Sequence, residues 1–348
     1  MMSSQEPSQK TLHKTLSEPA VQPVRTIAWG RFLRSFGTLI GFLLIVIFFW
    51  TQRPQTFMSV RNLLNITQQV SILGVVAFVM TVVMVVGDFD LSVGTMASLA
   101  GIVIGVLLQH DQPLSVVIVA ALLTGVIGGL LNGVLVAYVG ITPFVATLAT
   151  LTIFGGSAFY ISGGRTIFGQ VFPDSLVDFA NGGIFLASVN NQDVRLPHLT
   201  IIALGVLVVV WFVLEHTVYG RRLYTIGGSM EAARLAGVQV RLLRLFTFVI
   251  TGLGAALAGT MLTGQLATAN PTLGDNLMLN AIAAVFLGMT MSQEGEPHVM
   301  GTLVGVLLIG VLANGFTQIG VDTYIQRILT GVIILGSVTL SSISRRNR

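Results

Sequence analysis

Two carboxylates, Asp88 and Asp90, stand between two long charge-free stretches, in the segment Gly87-Asp88-Phe89-Asp90-Leu91-Ser92-Val93-Gly94. An ionisable side chain at membrane depth is costly to bury, so by default it marks a substrate route or a proton relay. Each residue also has a plainer reading. Asp90 can act as the N-cap of the helix that follows, accepting orphan N–H groups at the positive end of the helix dipole. Asp88 either dips into the membrane or is solvated in a simple turn.

Other chemistries are poorly supplied. The chain has no cysteine, which removes disulfides, thiolate metal sites and a cysteine nucleophile. His110, His198, His216 and His298 are scattered without ligand spacing, so no metal site is expected. The only lysines are Lys10 and Lys14, and neither follows a glycine-rich loop. A Walker loop needs a lysine on the phosphates. The chain is therefore not itself a P-loop ATPase and is expected to hold no cofactor. No clustered acid/base constellation suggests a membrane enzyme.

The elements that position these residues follow from composition. Charged residues make up 9% of the 348 positions, against roughly 25% in soluble domains. Hydrophobic residues make up 53%, and mean hydropathy is +0.85. So little charge cannot cover a soluble surface. The expectation is an all-α, polytopic membrane protein surrounded by lipid. The net charge of +4 lies in short segments without a basic, aromatic-interleaved helix, so no nucleic acid is expected.

A span needs about 20 apolar residues. Ten are expected: Arg31 to Trp50, one within Asn62 to Gly87, Leu91 to His110, two within Gln112 to Gly164, His198 to Leu214, Leu245 to Leu266, Asn276 to Met291, Val299 to Gln318, and Asp322 to Ser342. The 53 uncharged residues from Gln112 to Gly164 would make about 80 Å of unbroken helix. That stretch must fold back, and Val139-Gly140-Ile141-Thr142-Pro143 is the expected turn. Gly-x-x-x-Gly recurs at 101/105, 125/129, 129/133 and 301/305, which reads as helix-on-helix packing.

Residues 1–29 read as a disordered cytoplasmic tail and 30–348 as the transmembrane domain. Within it, 165–197 is expected to be a periplasmic loop and 215–244 a cytoplasmic one. With both termini cytoplasmic, thirteen Lys/Arg fall inside against Arg53, Arg61, Arg165 and Arg195 outside, as the positive-inside rule demands. In the cytoplasmic loop, Met230 to Val238 reads as a short exposed helix stopped by Gly237. A faint echo pairs Gly87-Asp88 with Gly274-Asp275, and Asn132-Gly133 followed by Gly140-Ile141 with Asn314-Gly315 followed by Gly320-Val321. The offset is five helices, so an inverted internal repeat is expected, with the substrate route at its interface.

Here the residues resemble a known family. Gly87 to Gly94 is similar to the Gly-Gly-Ile-Asp-Leu-Ser-Val-Gly signature of ribose-type permeases of bacterial sugar ABC importers, and its Gly-Asp-Phe-Asp form resembles the arabinose permeases. Ile226 to Val238 resembles the cytoplasmic loop of the family, including a Glu-Ala-Ala-x-x-x-Gly core. Asn270 to Gly274 and Met300 to Gly305 resemble later segments, so the likeness runs from about Thr56 to Ser341. The chain departs from the family at Ser292 to His298, where a glycine-rich tract is replaced by acidic residues, and at Thr330, where a basic residue is usual.

The resemblance implies a non-enzymatic permease subunit in the bacterial inner membrane, paired with a second permease, identical or related. Two cytoplasmic ATPase subunits, which bind ATP and Mg, would dock on the loop through Glu231, Ala232, Ala233, Arg234 and Gly237. A periplasmic sugar-binding protein would deliver a monosaccharide, with a pentose favoured. In that account Asp88, Phe89, Asp90 and Ser92, with Asp275 and Asn276 from the second repeat, line the route. The rival is a proton-coupled secondary transporter using Asp88 and Asp90.

Overall fold

The long uncharged stretch does fold back where its glycine and proline fall. Helix α4 (Leu114–Val134) runs through a π-helical turn (Leu135–Val139) to Gly140, whose φ of 86° is left-handed, and α5 (Pro143–Ser162) starts on the proline. Proline fits a first helical turn because its missing N–H has no partner there anyway. The computed structural model describes residues 28–189, 192–292 and 295–346. The expectation of a disordered tail falls on residues that lie almost wholly outside this range.

The remaining helices are α1 (Ala28–Gln52), α2 (Val60–Val85), α3 (Val93–Gln109), α6 (Asp174–Asn181), α7 (His198–His216), α8 (Val218–Gly228), α9 (Met230–Leu235), α10 (Val240–Leu266), α11 (Asp275–Met289), α12 (Val299–Gln318) and α13 (Thr323–Arg346). Each expected span overlaps one of these helices. Among the described residues, six are long and apolar enough to cross a membrane unaided: α2, α4 with its π turn, α5, α7, α10 and α12. Helices α3 and α11 are shorter apolar helices, which has a structural cause given below.

The segment 165–197 is more ordered than the loop expected of it. It carries β1 (Ile167–Phe168), α6, and the antiparallel hairpin of β2 (Gly183–Val189) and β3 (Gln192–Pro197). Strand β1 pairs with β4 (Thr268–Ala269), far along the chain. The loop at 215–244 likewise folds into α8, α9 and the start of α10.

Helices α2 and α10 form the centre, and they run antiparallel. Thr251 of α10 donates to the carbonyl of Val79 in α2, and Gly254 leaves the space that the Val79 side chain fills. Helix α4 lies against α10, with Gly125, Gly129 and Gly133 on the backbone of Gly252, Phe248 and Leu245. Helix α12 lies against α2 in the same manner, with Gly310 on Val70 and Thr302 hydrogen-bonded to Thr81 at 2.8 Å. Gly301 and Gly305 meet Gly288 and Ala284 of α11. Small residues let helix backbones approach where lipid supplies no hydrophobic driving force between helices.

These pairings are two copies of one unit, α2–α5 and α10–α13, turned over relative to each other. Val60 and Val240, Gln109 and Met289, and Pro143 and Thr323 are equivalent helix ends, each pair 180 residues apart. Gly140 and Gly320, at the same spacing, are both left-handed. The inverted repeat is therefore real, and of the sequence echo the Gly140-Ile141/Gly320-Val321 pair lies in its register while the Gly-Asp pair does not. Gly274 is the equivalent of Gly94, and Gly87 is the equivalent of Ala267. The Gly-Asp dipeptides coincide by chance.

Candidate functional site

Helices α3 and α11 are short because the chain reaches each of them through a polar turn instead of continuing the preceding helix. After α2 the chain turns at Gly87 (φ 83°), and after α10 at Ala267 (φ 47°). Beyond the second turn, Ala269 abuts Gly105 of α3, while the N–H of Gly274 donates to Ser98 Oγ at 2.8 Å. Those two α3 positions lie about 10 Å apart along its axis at 1.5 Å per residue. The segment 269–274 thus re-enters the helix bundle before α11 begins. The first turns of the two helices meet there, with Gly94 and Gly274 in direct backbone contact. Broken helices meeting inside a bundle are the way inverted-repeat transporters build a route.

The two turns share one hydrogen-bond design. Asp90 Oδ1 accepts from the Ser92 backbone N–H at 2.9 Å and from Ser92 Oγ at 2.6 Å. Asn270 Oδ1 accepts from the Thr272 N–H and from Thr272 Oγ1, both at 2.8 Å. A short side chain that bonds the backbone two residues on fixes such a turn. The helix N-cap is Ser92, without a side-chain cap bond. The expectation that Asp90 is itself the N-cap is corrected: its carboxylate closes the turn just before the helix.

The polar side chains of the first turn are bonded within the chain. Asp88, Asp90 and Ser92 are all buried. Asn132 of α4 donates to Ser92 Oγ at 2.8 Å and to Asp90 at 3.4 Å, and accepts from Thr150 of α5 at 2.6 Å. Asp88 is held by Arg244 of α10 in a two-pronged pair, Nε to Oδ2 and Nη2 to Oδ1, both 2.8 Å. The reading of Asp88 as a solvated carboxylate in a simple turn is corrected: it is buried and paired inside the chain. A bidentate guanidinium pair is among the stronger charge-assisted contacts and fixes orientation as well as distance. Arg244 was counted in the sequence only toward the basic excess of one face.

The second turn opens outward. Thr272, Asp275 and Asn276 are exposed, and on α11 Leu279 and Phe286 are exposed as well. At 100° per residue, Asp275, Leu279 and Phe286 share one face. Phe89 of the first turn is half-buried and stacks near Phe286, with ring centroids 6.1 Å apart. The six route candidates therefore divide. Asp88, Asp90 and Ser92 are engaged inside the chain, while Asp275, Asn276 and Phe89 present free surface beside the junction of the two helices. Burial is what separates them, and residue type alone does not reveal it.

On the side of the bundle where α2 ends and α10 begins, α8 and α9 form a projecting pair. Ser229 caps α9, its Oγ accepting from the Ala232 N–H at 3.2 Å, and the left-handed Gly237 (φ 79°) ends it. Glu231, Ala232, Arg234 and Gly237 are exposed, whereas Ala233 is fully buried and anchors the helix. Glu231 and Arg234 pair at 3.2 Å in the open. Leu235 is 80% exposed, an apolar tip that no local sequence pattern signals. Gly227 lets α8 touch the carbonyl of Val85 at the end of α2. Tyr224 donates to the Pro297 carbonyl at 3.1 Å, which brings the departing segment before α12 to this side. Among the described residues, no three His, Cys, Asp or Glu side chains could share a metal.

Residues 62–338 match the family described as branched-chain amino acid transport system / permease component. The chain is 36% identical over 309 residues to the ribose import permease protein RbsC of Bacillus subtilis (strain 168), covering 88% of this chain and 92% of that one. It is 33% identical over 317 residues to RbsC of Escherichia coli (strain K12), covering 91% and 95%. It is 33% identical over 311 residues to the autoinducer 2 import system permease protein LsrD of Photorhabdus luminescens, covering 88% and 91%. No solved structure matches it. These likenesses lend no support to a proton-coupled carrier. With its apolar helices and opposed half-bundles, the chain belongs to the branched-chain amino acid transport system / permease component family and is a multi-pass permease of the bacterial inner membrane.

Proposed function

We propose that this chain is the membrane-spanning subunit of an ATP-driven importer for a monosaccharide, with a pentose favoured. The observation that carries this is α9: a capped, six-residue helix that projects from one face and presents Glu231, Arg234 and the apolar Leu235. A chain that transports alone gains nothing from an exposed leucine on such a tip. It suits a surface waiting for a partner. In this reading the α8–α9 face is cytoplasmic, and two ATPase subunits carrying ATP and Mg dock on α9 of two permease subunits. The β2–β3 hairpin lies on the opposite, periplasmic face and receives a sugar-binding protein.

The route in this reading passes the junction of α3 and α11, where Asp275 and Asn276 are exposed and Phe89 is half-buried. A carboxylate and an amide that hydrogen-bond hydroxyls, beside an aromatic face, are suited to a polyhydroxylated ligand. The ribose permeases among its relatives favour a sugar over an amino acid. The test is uptake of labelled ribose, arabinose and xylose by proteoliposomes that hold the permease with its ATPase and binding protein. Uptake of one of them that needs internal ATP and survives a proton uncoupler supports the proposal. Uptake without ATP that collapses with the proton gradient contradicts it.

A further inference from the structure

We propose that the Asp88–Arg244 pair is the link through which movement of α9 reaches the junction of α3 and α11, making these two residues coupling residues of the importer. The proposal rests on the reading of α9 as the docking helix. Arg244 touches both ends of the path. Its Nη1 lies 4.0 Å from Met230 Sδ at the start of α9, while Nε and Nη2 grip Asp88. Asp88 lies two residues before Asp90, which is bonded to Ser92 at the start of α3 and, through Asn132 and Thr150, to α4 and α5. That turn is in backbone contact with Gly274, where α11 begins. A planar, forked guanidinium passes displacement to a carboxylate with little slack, which a single flexible ammonium contact would not do.

The internal repeat supplies the control that separates coupling from folding. The position equivalent to Asp88 is Thr268, and the position equivalent to Arg244 is Leu64. The second turn nevertheless forms with a left-handed residue at the equivalent position and the same pattern of side-chain bonds, and Thr268, in β4, pairs with β1 and donates to the Ile167 carbonyl where the first turn has the ion pair. The turn therefore folds without an ion pair. The pair is present only in the copy that faces α8 and α9. A buried ion pair is weak evidence for stability, since desolvating two charges offsets much of their attraction. Its restriction to the α9 face points to a task specific to that face.

The test uses the complete importer in proteoliposomes, with sugar uptake and ATP hydrolysis measured on one preparation. The probe is whichever of ribose, arabinose and xylose the wild type imports. Asp88→Asn and Arg244→Gln are expected to lose uptake by about tenfold or more while hydrolysis stays within about twofold, a change within the span of coupling free energies. The double variant is expected to be no worse than either single one. Uptake and hydrolysis falling together, or uptake persisting, would overturn the proposal. If these variants do not assemble with the ATPase, Arg244→Lys decides: it keeps the charge but loses the fork. Full coupling in that variant would also overturn the proposal, and partial uncoupling would support it. A wild type that binds no ATPase would instead sink the reading of α9.

Discussion

Gly94 and Gly274 occupy each other's Cβ space: the carbonyl of each lies where a side chain on the other would begin. The two short helices α3 and α11 can meet only because neither residue has a side chain. Substituting Gly94→Val or Gly274→Val is expected to destabilise the protein by about 1–3 kcal/mol or more, the usual penalty for overpacking. Gly156→Ala, on α5 with open space around it, is the matched control. Thermal unfolding in detergent reads the difference. Equal melting temperatures for all three would argue against the contact.

Asn132 is the hub of the first turn, with Ser92, Asp90 and Thr150 all on its amide. Asn132→Leu strips partners from buried polar groups, which costs about 1–3 kcal/mol for each group left unsatisfied. The same change at Asn270 removes bonds from a more open turn, where water replaces them, and is expected to cost less. Comparing the two melting temperatures ranks the inner turn above the outer one. The reverse order would contradict the burial described.

The natural absence of cysteine allows single-cysteine labelling without background. Cysteine at 275, 276 or 279 is expected to react with a small hydrophilic maleimide, and cysteine at 90 or 92 to react slowly or not at all. If 275 and 276 are shielded in the assembled importer, they do not line a water-filled route.

Sidedness follows from the same approach. Cysteine at 235, on α9, and cysteine at 185, on β2, should be labelled from opposite sides of oriented vesicles, with 235 on the cytoplasmic side. Labelling of both from one side would refute the topology.

Much of the fold is legible because lipid imposes a simple rule: apolar runs span, and glycine and proline mark where they turn. The turn at 139–143 and the glycine packing positions of α3, α4 and α12 could be read directly. Helix α9 could be read too, since serine starts it and glycine stops it. The ion pair could not, because Asp88 and Arg244 are 156 residues apart and each has an ordinary local explanation. The Gly140-Ile141/Gly320-Val321 pair lies in the repeat register, but around the two turns the register was hidden for a chemical reason. Its true equivalences, Asp90 with Asn270 and Ser92 with Thr272, are the same hydrogen-bond groups written with different residues, while the matching Gly-Asp dipeptides sit seven residues out of step. The order within 165–197 was hidden because β1 finds its partner about a hundred residues away, at β4.

Exposed ion pairs contribute little to stability, typically about 0–1 kcal/mol, so Glu231 and Arg234 are not needed to hold α9 in place. The most direct measurement is a pull-down of the detergent-solubilised permease with its ATPase subunit, comparing the wild type with Glu231→Ala/Gly237→Glu. The account predicts that the wild type retains the ATPase and that the double variant, still folded and lowered in melting temperature only by the strain of a side chain at the left-handed Gly237, loses it. A double variant that binds the ATPase as well as the wild type does would show that α9 is not the docking helix.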